Sequence, residues 1–133
     1  MRRIMGVVAA SVLMLGVLGG CGTDASLSDS LVGMWKTSVN GVYVDFHDDG
    51  TYLVSVSREG TGKVEWGTWS VEGSTLTETP ASDSRYCAGI VATYEVKVVD
   101  DGNRLENTVV DDACAVRLED TEPGLTRVAD AES

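Results

Sequence analysis

Beyond Val32 the chain repeats one pattern: short runs in which apolar residues fall on alternate positions, each closed by a turn signal. No stretch there keeps the spacing of about 3.6 residues that an amphipathic helix needs. Asn40-Gly41, Asp48-Asp49-Gly50, Glu72-Gly73 and Asp100-Asp101-Gly102-Asn103 are the turns, each with a residue that tolerates left-handed backbone. The runs between them cover residues 34–39, 42–47, 51–57, 63–71, 74–79, 92–99, 104–110, 114–119 and 125–128. Gly67 interrupts its run and marks a bulge or bend. Sequential hairpins of this kind predict an all-β, antiparallel up-and-down barrel of about eight or nine strands, because closure removes exposed strand edges. Within the runs, Val42, Val44 and Phe46 share one face, as do Tyr52, Val54 and Val56, and Tyr94, Val96 and Val98.

Composition narrows the partners. With 133 residues there is room for one domain. The 21 acidic and 10 basic residues leave a net charge of −11, which argues against a nucleic-acid partner, since phosphate binding needs a basic surface. One His limits metal and acid–base chemistry.

The N-terminus reads as an address. Met1-Arg2-Arg3 is basic, residues 4–18 are almost wholly apolar, and Leu18-Gly19-Gly20-Cys21 follows. About 15 apolar residues fall short of the roughly 20 that a membrane-spanning helix needs, and the order of segments is that of a secretory leader. Leu18, Gly19, Gly20 and Cys21 resemble a bacterial lipobox. The resemblance implies cleavage before Cys21 and diacylglyceryl attachment to it, with the protein held on the outer face of the cell membrane by lipid. Electrostatics would not hold it there, because an acidic domain is repelled by an anionic membrane. The organisation expected is a leader over 1–20, a tether over 21–30, a barrel over 31–129 and a tail over 130–133. One helical turn around Ser28-Leu31-Val32 precedes the barrel. With Cys21 acylated, Cys87 and Cys114 remain as an even pair in an oxidising compartment and read as a disulfide. A metal or redox pair is the alternative, which a spacing of 27 without Cys-x-x-Cys or a nearby His does not favour.

Further residues carry a resemblance to a family. Gly33-Met34-Trp35 on the first run and Arg127 on the last resemble the Gly-x-Trp and closing-strand Arg of the calycins, the group that includes lipocalins. There the Arg packs over the indole and seals one end of the barrel. Phe46-His47-Asp48-Asp49-Gly50-Thr51-Tyr52, Gly67-Thr68-Trp69-Ser70-Val71 with its following turn, Tyr94, and the segment from Asp112 to Arg117 look like elements of bacterial lipocalin-like lipoproteins. The likeness runs over about residues 31–128. It departs from the family in having a second Gly-x-Trp at Gly67, no Thr-Asp-Tyr element, and a smaller domain than most lipocalins.

No constellation for catalysis stands out. There is no Gly-x-Ser-x-Gly element, His47 has no Cys near it in sequence, and most acids sit in turns, so no enzyme activity and no cofactor are expected. Asp45, His47, Asp48 and Asp49 gather metal-type ligands, but the spacing does not fit a calcium loop and reads as a solvated hairpin. The aromatic residues Phe46, Tyr52, Trp66 and Tyr94 are expected to point inward, either lining a small apolar pocket or filling the barrel. Two functions follow. In one, the barrel binds a small hydrophobic ligand, with Arg85 and Tyr86 as rim contacts on the connection 80–88 and the Cys87–Cys114 bridge pinning that connection to a later strand. In the other, a filled barrel serves as a scaffold or inhibitor that contacts an envelope protein.

Overall fold

A computed structural model describes residues 26–121 and 124–129, apart from the side chain of Asp120. The leader, the lipobox with Cys21, the first part of the tether and the tail 130–133 lie outside the described residues. In chain order the elements are α1 (Leu27–Leu31), β1 (Gly33–Thr37), β2 (Tyr43–Phe46), β3 (Thr51–Ser55), β4 (Lys63–Glu72) and β5 (Thr75–Pro80). They continue with β6 (Ala92–Val99), β7 (Arg104–Asp111), α2 (Ala115–Thr121) and β8 (Leu125–Arg127). Every strand pairs antiparallel with the next, and β8 pairs with both β7 and β1, so the eight strands close into an up-and-down barrel. The turn chemistry explains the register. Asp100, Asp101 and Gly102 all take positive φ between β6 and β7, and Gly50 and Gly73 do the same in their hairpins.

Alternation along the strands sets the interior. Val44 faces Val54 across β2 and β3, and Phe46 faces Tyr52. Leu76 pairs with Tyr94 across β5 and β6. With Leu31, Trp35, Leu105 and Leu125 these residues form one continuous core. Phe46 and Trp69 meet edge to face at 5.1 Å between ring centres, a favoured aromatic geometry.

Two expectations fail for identifiable reasons. The register shifts between Val54 and Ser55, so Val54 faces Glu65 while Ser55 faces Lys63, and Val64 is the extra residue of the bulge. β3 ends at Ser55, which is buried, so Val56, expected beside Tyr52 and Val54, lies beyond the strand and is exposed. Gly67 is not the bulge. It marks a close approach of β5, for a Cβ there would stand 2.1 Å from the Thr79 carbonyl oxygen. The second failure is residues 114–119, expected as a ninth strand, which instead lead into the helix α2. Its buried positions, Cys114, Arg117 and Thr121, recur at helical spacing. Two of the three are polar, so the apolar pattern alone does not reveal the period.

One end of the barrel is sealed by α1. Ser26 caps the helix through its side chain to the Asp29 amide, and Leu31 is fully buried in the core. Trp35 is 0% exposed and donates its indole N–H to the Leu31 carbonyl at 2.8 Å. The Arg127 guanidinium lies 4.2 Å from the Trp35 ring centre. It donates to the carbonyls of Gly102 at 2.7 Å, Val32 at 3.0 Å and Ser30. One side chain thus ties α1, the entry to β1 and the β6–β7 turn to the indole, and cation over aromatic face adds about 0.5–2 kcal/mol. Gly33 makes room for it, since a Cβ there would sit 2.8 Å from Arg127 Nη1. The second Gly-x-Trp has a separate role, with the Trp69 indole N–H donating to the His47 carbonyl at 3.0 Å.

Candidate interior site at the second helix

The opposite end is closed differently, by a polar plug. The Cys87–Cys114 disulfide joins the connection after β5 to the start of α2, not to a strand, with Cα atoms 5.6 Å apart. Asp112 accepts the Cys114 amide at 2.9 Å, which turns the chain into the helix. From α2 the Arg117 side chain enters the barrel, leaving the residue only 5% exposed. It donates to both Asp112 oxygens at 2.8 Å, to Glu65 Oε1 at 3.2 Å and to the Ile90 carbonyl at 2.7 Å. Such a forked, charge-assisted arrangement fixes the guanidinium in place.

The plug draws in both inward tyrosines. The Tyr52 hydroxyl donates to Glu65 Oε2 at 2.6 Å, and the Tyr94 hydroxyl donates to Asp112. Burial, with the charges of Glu78 and Glu65 behind it, pushes the Tyr52 phenol well above its ordinary range, so it stays a donor. Burial likewise raises Glu65, against the pull of Tyr52 and Arg117. Burial alone would raise Asp112 too, yet the hydrogen bonds from Arg117, Tyr94 and the Cys114 amide hold it below the usual carboxylate range.

Between this plug and the apolar core is a cavity of about 30 Å³. That is room for about two waters. Val44, Phe46, Leu76 and Tyr94 wall it, Glu65, Glu78, Asn107 and Arg117 supply its polar lining, and Tyr86 and Val116 bring it to the surface. These last two are 40% and 48% exposed, an apolar mouth. Glu78 is 5% exposed and its carboxyl makes no hydrogen bond among the described residues. Burial, with the nearby Glu65 charge added, pushes it up to about 8 despite the opposing Arg117. Asn107 donates its amide to the Thr121 carbonyl at 3.2 Å, which fixes the orientation of the group, and its buried Oδ1 has no partner.

The anticipated site residues are distributed over these features. Phe46 and Tyr94 line the cavity, and Tyr86 stands at its mouth. Tyr52 is in the core with its hydroxyl committed to Glu65, and Arg85 is exposed, its guanidinium 5.6 Å from the Tyr86 ring centre. Trp66 is a correction. Glu65, Gly67 and Trp69 take the inward positions of β4, so Trp66 faces out and hydrogen-bonds Asp83 at 3.1 Å. The inward residue is its acidic neighbour. Sequence reasoning missed Glu65 and Glu78 because acids on a strand read as solvent-facing. The available signal was parity, since Glu65 is in step with Trp69 and Glu78 with Leu76.

The His47 hairpin is a self-contained polar turn. Its ring nitrogens meet Thr51 Oγ1 at 2.9 Å and Asp45 Oδ2 at 3.0 Å, while Asp49 holds the Thr51 amide and hydroxyl. Among the described residues no three His, Cys, Asp or Glu side chains converge as metal ligands. The chain matches no protein-family model, no curated protein and no solved structure.

Proposed function

We propose that this chain is a lipid-anchored bacterial envelope protein, similar to the lipocalin-like lipoproteins, whose barrel is a non-enzymatic binding module for one small molecule. Leu18-Gly19-Gly20-Cys21 after an apolar segment supports the anchor on Cys21 and the extracytoplasmic location. The observation that carries the binding reading is Glu78: a residue 5% exposed whose carboxyl has no hydrogen bond to the described protein and meets a cavity that opens through Tyr86 and Val116. A barrel that served only as a scaffold would gain stability from an apolar residue there, because a buried unpaired acid costs several kcal/mol. The polar lining changes the ligand expected from sequence. A wholly hydrophobic molecule would leave Glu78 and Asn107 Oδ1 unmet, so the ligand is small and carries a polar head on a slender apolar body.

Native mass spectrometry of the full-length protein, released from its host membrane in non-ionic detergent, tests this reading. The expected result is a small-molecule adduct that survives gentle desolvation and is lost on unfolding. A mass accounted for by polypeptide and acyl chains alone would favour the filled-barrel scaffold and turn the search to envelope proteins that touch the outer loops.

A further inference from the structure

The binding reading leaves open what the polar lining of the cavity recognises, and the charges there restrict it. Groups facing Glu78 come from the elements around it: Tyr52 on β3, Glu65 on β4, Tyr94 on β6, Asp112 just after β7, and Arg117 on α2; Asn107 on β7 lines the same cavity. Three carboxyls thus surround one guanidinium, and Arg117 is already bonded to Glu65 and Asp112. The two groups left over, the Glu78 carboxyl and Asn107 Oδ1, are both acceptors when Glu78 is ionised. An anion would meet excess negative charge, and a neutral apolar group would leave both acceptors dry. A divalent metal wants six or more oxygen ligands, or several retained waters, which this cavity between Leu76, Phe46 and Val44 does not offer.

We propose, resting on the binding reading above, that the cavity takes the ammonium head of a small primary amine, with Glu78 as counter-ion. The head takes the place of the water the cavity has room for, and the rest of a slender apolar chain leaves past Val116 and Tyr86. Binding and protonation then compete. In the empty barrel Glu78 keeps its proton through neutral pH, because its carboxyl is pushed up to about 8. An entering ammonium stabilises the ionised form and releases that proton to solvent. Affinity therefore rises with pH until Glu78 is ionised unaided, by about 30-fold between pH 6.5 and pH 9. The amine itself stays charged over that range, as a lysine side chain does.

The test is a titration of the full chain in non-ionic detergent with n-butylammonium, butyrate and 1-butanol at moderate salt, read by amide and methyl shifts in nuclear magnetic resonance. The expected result is saturable binding of n-butylammonium alone, with shifts at Val44, Leu76 and Asn107, tighter at pH 9 than at pH 6.5 by about 30-fold. Glu78→Gln, which keeps shape and polarity, should weaken binding at least tenfold at pH 9 and abolish its pH dependence. If 1-butanol bound as well as the amine and Glu78→Gln changed neither, the ammonium assignment would be overturned while the binding barrel stood. Amine shifts confined to surface carboxylates, or no binding at all, would overturn the assignment as well. A clean polypeptide-and-acyl mass in the preceding experiment would then remove the binding barrel with it.

Discussion

Replacing Glu78 with Gln should stabilise the empty barrel, and the gain should grow with pH. The sign follows from the raised carboxyl. Between an unfolded value of about 4.5 and a folded value of about 8, the native state holds a proton that the unfolded chain has lost. Stability contributed by Glu78 is therefore fully present below pH 4.5, falls as pH rises, and is gone above 8. At about 1.4 kcal/mol for each pH unit between the two values, the loss is about 5 kcal/mol. Denaturant unfolding of the two proteins should give similar stabilities at pH 4 and a gap of about that size at pH 8.5, with the variant the more stable. Parallel profiles at all pH values would show that Glu78 is solvated or paired in the native state. A natural sequence that keeps a destabilising interior acid points to use of that acid, since sites of function are where stability is commonly given up.

Arg117→Met should have the opposite effect and a comparable size. It removes the only described cation in contact with Glu65 and Asp112 and leaves both acids buried against each other and Glu78. Stranding buried charges in this way costs about 3–5 kcal/mol. The defect should shrink toward acid pH, because without Arg117 both carboxyls hold their protons to higher pH and can become neutral at little expense. Adding Glu65→Gln to Arg117→Met should recover part of the loss by removing one of the stranded charges. Unfolding at pH 7 and pH 5 measures all three proteins. An Arg117→Met barrel as stable as the original at pH 7 would mean that the plug is not an electrostatic one.

The barrel was legible because its information is local. Positive φ is required at Gly50, Gly73 and the Asp100–Gly102 turn, and Gly or Asp occupies each position. Alternation in β6, with Tyr94, Val96 and Val98 in step, needs no tertiary knowledge to read. The interior site was hidden because it breaks the same rule by which the fold is read. Apolar-in and polar-out selected Trp66 over Glu65, hid Glu78 beside Leu76, and turned α2 into a strand, since the helix buries Arg117 and Thr121 rather than apolar residues. The bulge at Val64 carries no local signal, and neither does the end of β3 at Ser55, which leaves Val56 outside the strand and exposed. Departures from local pattern concentrate at the α2 end of the barrel, beside the interior cavity.

In the empty barrel the Glu78 carboxyl has no hydrogen-bond partner among the described residues. Its side-chain carboxyl carbon, observed by nuclear magnetic resonance in the ligand-free protein from pH 3 to pH 10, reports that directly. The account predicts a midpoint pushed up to about 8, carried by Glu78 and absent from Glu78→Gln. A midpoint near the ordinary 4.5 would mean that the carboxyl is hydrated or paired, and would contradict both the stability prediction and the ammonium site.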